Sequence, residues 1–348
     1  MRLPIEAPVA PMLARLVDDI PSQDSIPGGY VYEPKWDGFR CVVLRDGDQL
    51  ELASRMNRSL NAYFPEVVES LCQTLPDRCV IDGEIIMPFG PEGSQRLDWD
   101  ALCERMHPSL RRVARPSEQH PAHLVVFDVL ALGDRDLTDE PLRTRRAVLE
   151  DIFLTIPDSS GLHVTAQTAD AERAREWFDQ FEGHGLDGIM VKECESSYEF
   201  GRRSWQKVKH NRTAEVVVLG YRRTPRHRGV GRVLLGLYGS DDEALYYVGS
   251  VEHLTAGQRV DMLQEFAGLE IAESRVDVIG LSPMNSVTQP TIFLRPELVM
   301  EVEFDQLEGR QFRHPAKFRR WRPDRDAHSC RVDQLGVGSA YDLATVLD

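Results

Sequence analysis

The stretch YVYEPKWDGFRCVVLRDGDQLELAS, Tyr30–Ser54, decides the fold. Tyr30–Glu33, Arg40–Arg45 and Leu50–Ser54 are rich in aliphatic, β-branched and aromatic residues, and each reads as a strand. Asp46-Gly47 supplies the left-handed backbone that a tight hairpin needs, so the last two of these strands run antiparallel. Working outward, Phe64–Leu75 has helical spacing after Pro65, while Val80–Met87 and His123–Leu132 are apolar enough for buried strands. Pro141–Phe153 and Ala169–Phe181 read as amphipathic helices, and Ile189–Lys192 and Trp205–Lys209 return to strand character. Hairpin turns outnumber crossover helices, which predicts an α/β or α+β core built around antiparallel sheet.

Composition shifts near residue 210. Ala214–Arg223, Val233–Tyr238, Leu245–Val251 and Leu298–Asp305 are β-rich, and Thr255–Ala267 is the one helix among them. Short strands with glycine-rich turns and a single helix suit a small Greek-key barrel, with an OB-fold among the options. The spacing therefore predicts two domains, 1–210 and 211–348, joined by a short hinge at His210–Thr213.

The chain of 348 residues carries 41 basic side chains, of which 36 are Arg and five are Lys: Lys35, Lys192, Lys207, Lys209 and Lys317. Arg replaces Lys for solubility or phosphate binding, but not as a nucleophile, because a guanidinium stays protonated. Four of the five lysines sit in short runs with acidic, glycine and aromatic neighbours, and Lys35, inside Glu33–Arg40, is the sharpest candidate. Making its neutral amine at pH 7 costs about 4.6 kcal/mol, which neighbouring cations, a metal or burial would reduce. Lys207 and Lys209 share a strand face and are expected to hold a phosphate and disfavour a third ammonium. Asp37-Gly38 is expected to make a tight turn where backbone approaches a ligand.

Two acidic turns recur, Ile81-Asp82-Gly83-Glu84-Ile85 and Leu186-Asp187-Gly188-Ile189-Met190-Val191-Lys192. Together with the lysines, Glu84 and Asp187 make a divalent-metal site of hard oxygen ligands, suited to Mg²⁺ or Mn²⁺. Phe127-Asp128 is expected to end an apolar strand, with Phe127 either core or a platform under a purine ring. A GxxxxGK[ST] phosphate loop is absent, as are HExxH and GxSxG, so P-loop nucleotide chemistry is excluded.

Net charge is −15, yet the basic residues are segregated. Glu199–Arg232 carries a local +8 and Arg310–Arg325 a local +6, which leaves −29 elsewhere. That pattern predicts a phosphate-tracking surface on an acidic body, with Arg202, Arg203, Arg222, Arg223, Arg226 and Arg228 as contacts. The six cysteines show no CxxC pair or zinc spacing and read as reduced thiols of a cytoplasmic protein. No apolar run is long enough to span a bilayer, and Met1–Pro21, broken by prolines, reads as neither secretory signal nor transit peptide.

In order, these segments resemble the covalent nucleotidyltransferases: ATP-dependent DNA ligases, RNA ligases and mRNA capping enzymes. The match is closest to the small two-domain bacterial ATP-dependent DNA ligases and runs from Pro11-Met12-Leu13-Ala14 to Arg325, nearly the whole chain. The resemblance implies an α+β adenylation domain of antiparallel sheets with flanking helices, followed by a small OB-fold barrel. It implies that Lys35 attacks the α-phosphate of ATP to form lysyl-AMP, with Glu33 and Phe127 at adenine and Arg40 and Glu84 at the ribose. Arg55, after Ser54, would meet the 5′-phosphate of a nick. Lys207 and Lys209 would bind the α-phosphate, with Lys192 alongside, and Arg322, Asp324 and Arg325 would orient pyrophosphate. Two positions depart from the family pattern: Asp187 stands where a metal-binding Glu is usual, and Arg325 where Lys is usual. Nicked duplex DNA and ATP are the implied partners, DNA-repair proteins are candidates, no membrane is involved and a monomer is expected. RNA ligation or capping, and a non-catalytic scaffold on nicked DNA, are the competing expectations.

Overall fold

In the computed structural model, the Asp46-Gly47 hairpin becomes the edge of a twisted sheet. The structure describes residues 1–91, 95–106, 117, 120–180, 186–210, 212–223, 229–240, 244–272, 278–281, 290–305, 307–335, 343, 346 and 347. The chain divides into two units, Met1–His210 with Gly338–Asp348, and Asn211–Val337.

The first unit runs β1 (Ala14–Leu16), β2 (Tyr30–Trp36), β3 (Phe39–Asp46), β4 (Gln49–Ser54), α1 (Pro65–Thr74), β5 (Arg78–Ile86), β6 (His123–Leu132), α2 (Leu142–Phe153), β7 (Leu162–Val164), α3 (Ala171–Gln180), β8 (Leu186–Glu193) and β9 (Trp205–Val208), with shorter pieces between. One sheet has the order β7-β6-β5-β3-β4 and the other β1-β9-β8-β2. Most pairings are antiparallel, as the hairpin reading predicts, but β7/β6 and β1/β9 are parallel. Those two join segments far apart in sequence, which local patterning does not reveal.

Strand β3 is buried on both faces, which explains its unbroken apolar run. Cys41 and Val43 face a core shared with Phe64, Val67 and Leu71 around α1 and with Leu149 of α2. Val42 and Leu44 face the opposite way, into a cluster with Phe127, Tyr198 and Trp205. Period-2 alternation thus gives one strand two cores, and the second lies behind the candidate site. Pro65 occupies the first turn of α1, where its missing N–H has no intrahelical partner to lose.

The smaller sheet is covered by α3, whose Ala174 and Trp177 pack with Tyr30, Tyr32, Ile189 and Val191. The same core buries Leu343 and Val346 completely, and Ala166 N–H donates to the carbonyl of Val346 at 3.3 Å. The last residues were expected to go with the second domain; these apolar side chains, seated in the α3 core, put them with the first unit instead.

In the second unit, β10 (Arg212–Arg223), β11 (Val230–Tyr238), β12 (Leu245–Val251), α4 (Ala256–Phe266), β13 (Val299–Phe304) and β14 (Lys317–Trp321) are the principal elements. Strand β10 pairs with both β11 and β13, β11 with β12, and β13 with β14. A parallel bridge from Val251 to Ala316, the residue before β14, brings the two ends of that series together. Thr255 and Gln258 form a reciprocal capping box on α4. The sequence reading missed β14 as a strand, because its alternation is masked by three cations in five residues. Both units are mixed α and β and rich in sheet. Among the described residues no helix is long and apolar enough to cross a membrane.

Candidate active site

Glu33 and Lys35 lie two apart on β2 and therefore point to the same side of the sheet. Strand β8 runs antiparallel beside it, with Met190 opposite Glu33, and its register shifts between Leu186 and Ile189. Gly188, at φ +110°, sits in that irregularity; a Cβ there would fall 2.0 Å from the carbonyl oxygen of Val208. Such a bulge re-aims the side chain beside it. Asp187 is thereby turned to Lys35, whose Nζ lies 2.8 Å from Asp187 Oδ2. Lys209, just past the end of β9, reaches the same oxygen at 2.6 Å.

This arrangement corrects the expected electrostatics. Burial pushes the Lys35 ammonium down, but the Asp187 charge and hydrogen bond, with Asp37 and Glu84 behind them, more than cancel it, so its pKa lies above the ordinary lysine value. Lys207 is the depressed amine, through burial and the charges of Lys35 and Lys209. Burial pushes the Asp187 carboxyl up, and the two lysines overcome that and hold it low. The Lys35 amine is thus clamped as a cation.

Lys192 has close partners of its own. Its Nζ lies 2.7 Å from Glu33 Oε2 and 3.3 Å from the carbonyl of Phe127, with Trp205 and Phe127 rings 4.3 and 4.8 Å away. Lys192 and Glu33 are both essentially inaccessible, and Gln167 Nε2 donates to the other Glu33 oxygen at 2.9 Å. Both Glu33 oxygens are therefore engaged by neighbours, and Lys192, although nearly inaccessible, forms part of the pocket wall.

Arg40 leaves β3 opposite Glu84 of β5. Its Nε and Nη2 bond Asp82 at 2.6 and 2.5 Å, and its guanidinium lies 4.5 Å from the centre of the Phe127 ring. Phe127 sits in the middle of β6 rather than at its end, because the apolar alternation continues to Leu132. Directly after it, Asp128 forms a two-pronged pair with Arg145 of α2, both fully buried.

Gly38 is needed for a reason other than ligand approach: a Cβ would stand 2.1 Å from the carbonyl oxygen of Ile85 and 2.9 Å from Glu84 Cγ. The close backbone packing seats Glu84 at the pocket. Burial, with Asp37 and Asp82 nearby, outweighs Arg40 and Lys35 and raises Glu84 to about 7. No described residue makes a hydrogen bond or ion pair to its carboxylate.

Glu33, Lys35, Arg40, Arg55, Glu84, Phe127, Lys192 and Lys207 all line one cavity of about 220 Å³. Arg203 and Trp205 line it too, and Arg203 Nη1 donates to the carbonyl of Ala14 at 3.2 Å. Arg55 is exposed in a turn fixed by Ser54, whose carbonyl accepts from Asn57 N–H at 2.7 Å and whose Oγ accepts from Arg58 N–H at 2.9 Å. Arg202 is exposed beside Arg203. The cavity combines an aromatic wall, an amine and several cations, which suits a nucleotide phosphate ester.

For a hard divalent cation the donors fit in part. Glu84 is an under-compensated carboxylate, and Asp187 keeps Oδ1 free of described partners, while its Oδ2 is shared by two ammonium groups. Among the described residues no cluster of three or more His, Cys, Asp or Glu stands at metal spacing. Two carboxylates completed by substrate phosphates is the arrangement Mg²⁺ commonly uses.

The remaining candidates lie in the second unit. Arg222 Nε donates to Thr291 Oγ1 at 2.9 Å, and Arg223 is exposed; Arg226 and Arg228 lie outside the described residues. Arg322 gives Nε and Nη2 to Asp324 at 2.8 and 2.7 Å, which draws that carboxyl down to about 2. Glu215 of β10 contacts Arg322 with one oxygen and Arg325 Nε with the other, the latter at 2.6 Å. Lys317, unexplained by sequence, pairs with Glu303 at 2.9 Å. Sequence reasoning missed Asp82, Tyr198, Gln167 and Glu215; for Asp82 alone a signal existed, since it shares a strand face with Glu84.

Residues 11–209 match the family model described as ATP dependent DNA ligase domain, and residues 226–325 the one described as ATP dependent DNA ligase C terminal region. DNA ligase C1 of Mycolicibacterium smegmatis is 42% identical over 353 residues, covering 100% of this chain and 99% of its own. DNA ligase C of Mycobacterium tuberculosis is 42% identical, covering 96% of each chain. A solved Lig E DNA ligase, 16% identical, matches over 89% of this chain and 99% of its own with a TM-score of 0.53, a likeness of fold alone.

Proposed function

The chain belongs to the ATP-dependent DNA ligases, and on that premise we propose how its residues divide the work of sealing a nick. It is an ATP-dependent DNA ligase, and the reported relatives lend no support to RNA sealing, capping or a non-catalytic scaffold. The observation that carries the assignment of roles is the convergence of Lys35, Arg40, Glu84, Phe127 and Lys207 on one cavity.

Lys35 is the nucleophile. The resting ammonium first gives up a proton, and the neutral Nζ then attacks the α-phosphorus of ATP in line with the departing pyrophosphate, losing a second proton as the N–P bond of the phosphoramidate forms. Asp187 holds the amine beside the pocket, within hydrogen-bond reach of those protons. Lys207 and Lys209 place positive charge where the transferring phosphate gains negative charge. Phe127 offers an aromatic wall to adenine, and Arg40, locked by Asp82, meets the ribose. Glu84 and Asp187 would hold Mg²⁺ or Mn²⁺, which would supply charge neutralisation at the phosphates and favour the neutral amine. AMP then passes to the 5′-phosphate of the nick, near Arg55, and the 3′-hydroxyl displaces AMP to close the strand. Arg322, Asp324 and Arg325 act on the leaving pyrophosphate, with Arg325 keeping the charge of the usual lysine in a different geometry.

The second unit is read as an OB-fold barrel. Support comes from the five principal strands, the one helix between the third and fourth, and the bridge from Val251 to Ala316. Arg202, Arg203, Arg222, Arg223, Arg226 and Arg228 supply phosphate contacts to duplex DNA. The protein works as a monomer in the cytoplasm. The test is sealing of a 5′-phosphorylated nick in duplex DNA with ATP and Mg²⁺. Joined product is expected with ATP; no joining, or joining only of RNA strands, would overturn the assignment.

A further inference from the structure

Behind the cavity the hydrogen bonds close into a ring. Tyr198 Oη–H donates to Asp82 Oδ2 at 2.6 Å, and Asp82 accepts both prongs of Arg40. Arg40 Nη2 also donates to the carbonyl of Met12 at 3.3 Å, and Met12 N–H donates back to Tyr198 Oη at 2.9 Å. Asp82 and Met12 are fully buried, Tyr198 is 4% exposed, and Arg40 alone reaches the cavity. Leu13 and Ala14, the next residues after Met12, line that cavity as well.

From this geometry we propose that Tyr198 is a positioning residue for nucleotide binding: its hydroxyl joins Asp82 to Met12 and so sets both the Arg40 guanidinium and the Leu13–Ala14 wall. The inference rests on the reading of Arg40 as a nucleotide contact. Burial and the Asp82 charge push the Tyr198 phenol well up, so it stays a donor at working pH. Without the hydroxyl, Asp82 loses a donor and Met12 N–H is left buried without an acceptor. Arg40 and the Leu13–Ala14 wall then lose their common anchor, although Tyr198 touches no substrate.

The test is a double-mutant cycle on the first chemical step, read as label transfer from ATP to the full-length protein over a range of ATP concentrations. Tyr198→Phe removes only the hydroxyl. Arg40→Lys keeps a cation opposite Asp82 and loses the two-pronged geometry. Each single variant is expected to raise KM for ATP roughly tenfold, the equivalent of one charge-assisted hydrogen bond, with kcat changed less than about threefold. The double variant is expected to fall clearly short of the product of the two single effects, because the hydroxyl acts in part through the guanidinium and in part through the Met12 backbone. If Tyr198→Phe leaves KM unchanged while Arg40→Lys raises it, the positioning role is overturned and the reading of Arg40 stands. If Arg40→Lys leaves KM unchanged, the reading of Arg40 and the inference both fall. Multiplying effects in the double variant would overturn the inference in favour of general loosening. Asp82→Asn provides a second probe: it is expected to raise KM and to shrink the effect of Tyr198→Phe.

Discussion

Substituting Asp128 by Asn should cost the first unit about 3–5 kcal/mol, although the two side chains have nearly the same shape. Asp128 and Arg145 are both 0% exposed, and the pair is two-pronged at 2.8 and 2.9 Å. Arg145 Nη1 also donates to the carbonyls of Glu140 at 2.6 Å and Ser196 at 2.9 Å, so the guanidinium cannot swing out to water without leaving those acceptors buried. Asn supplies one acceptor, turns an amide N–H towards an arginine N–H, and removes the counter-charge. Arg145→Met strands a buried carboxylate and two carbonyls and should cost at least as much. In Asp128→Asn/Arg145→Met the losses should fall short of the sum by more than about 1.5 kcal/mol, since neither single change can remove the pair twice. Urea unfolding followed by tryptophan fluorescence reports chiefly on this unit, which holds Trp36, Trp99, Trp177 and Trp205, whereas Trp321 is in the other. The midpoint should drop by more than about 1 M. Because Asp128 follows Phe127 on β6, surviving Asp128→Asn protein should also bind ATP more weakly. A loss below about 1 kcal/mol, or strict additivity, would refute the argument.

Glu84, raised to about 7, binds its proton more tightly in the folded state than in the unfolded one. The stability this confers is full below about pH 4.5 and is lost as pH rises through about 7. In metal-free, ATP-free protein, Glu84→Gln should therefore outlast the parent by less than about 1 kcal/mol at pH 5 and by up to about 3 kcal/mol at pH 8; an advantage that shrinks with rising pH would contradict the sign. Gly188→Ala places a Cβ 2.0 Å from the Val208 carbonyl oxygen at a φ of +110°, so it should cost more than about 2 kcal/mol and slow adenylation by displacing Asp187. Chemical denaturation and a single-turnover assay would show otherwise if the variant matched the parent in both. Binding to nicked duplex should weaken steeply with salt, and Arg202→Ala and Arg203→Ala should each lower the log–log slope by about one; unchanged slopes would remove these residues from the DNA surface.

Local chemistry made much of this molecule legible in advance. The hairpin at Asp46-Gly47, the apolar runs of β5 and β6 and the capped helix α4 are short-range patterns, and they name their elements without reference to the rest of the chain. The same holds for the lysines and acids, since a scarce residue type in a glycine-flanked run marks a position by itself. Partnership was not legible. Lys35 meets Asp187 across 152 positions, Tyr198 meets Asp82 across 116, and no spacing rule links them. That is why the expectation of a lysine depressed by neighbouring cations gave way to a lysine clamped by a carboxylate. It is also why the pairing of Lys192 with Glu33 was not foreseen. Gly38 shows a further limit. The sequence marks a position where no side chain fits, but only the fold says whether a ligand or the Ile85 carbonyl fills the space.

The central claim is that Lys35 carries AMP. Its most direct measurement is incubation of the protein with ATP labelled on the α-phosphate and a divalent metal, followed by denaturing electrophoresis and mass analysis of the labelled peptide. The wild-type protein should take up acid-labile label on the peptide containing Lys35, pyrophosphate should discharge it, and Lys35→Ala should take up none. Label retained by Lys35→Ala, or found on another residue, would contradict the claim.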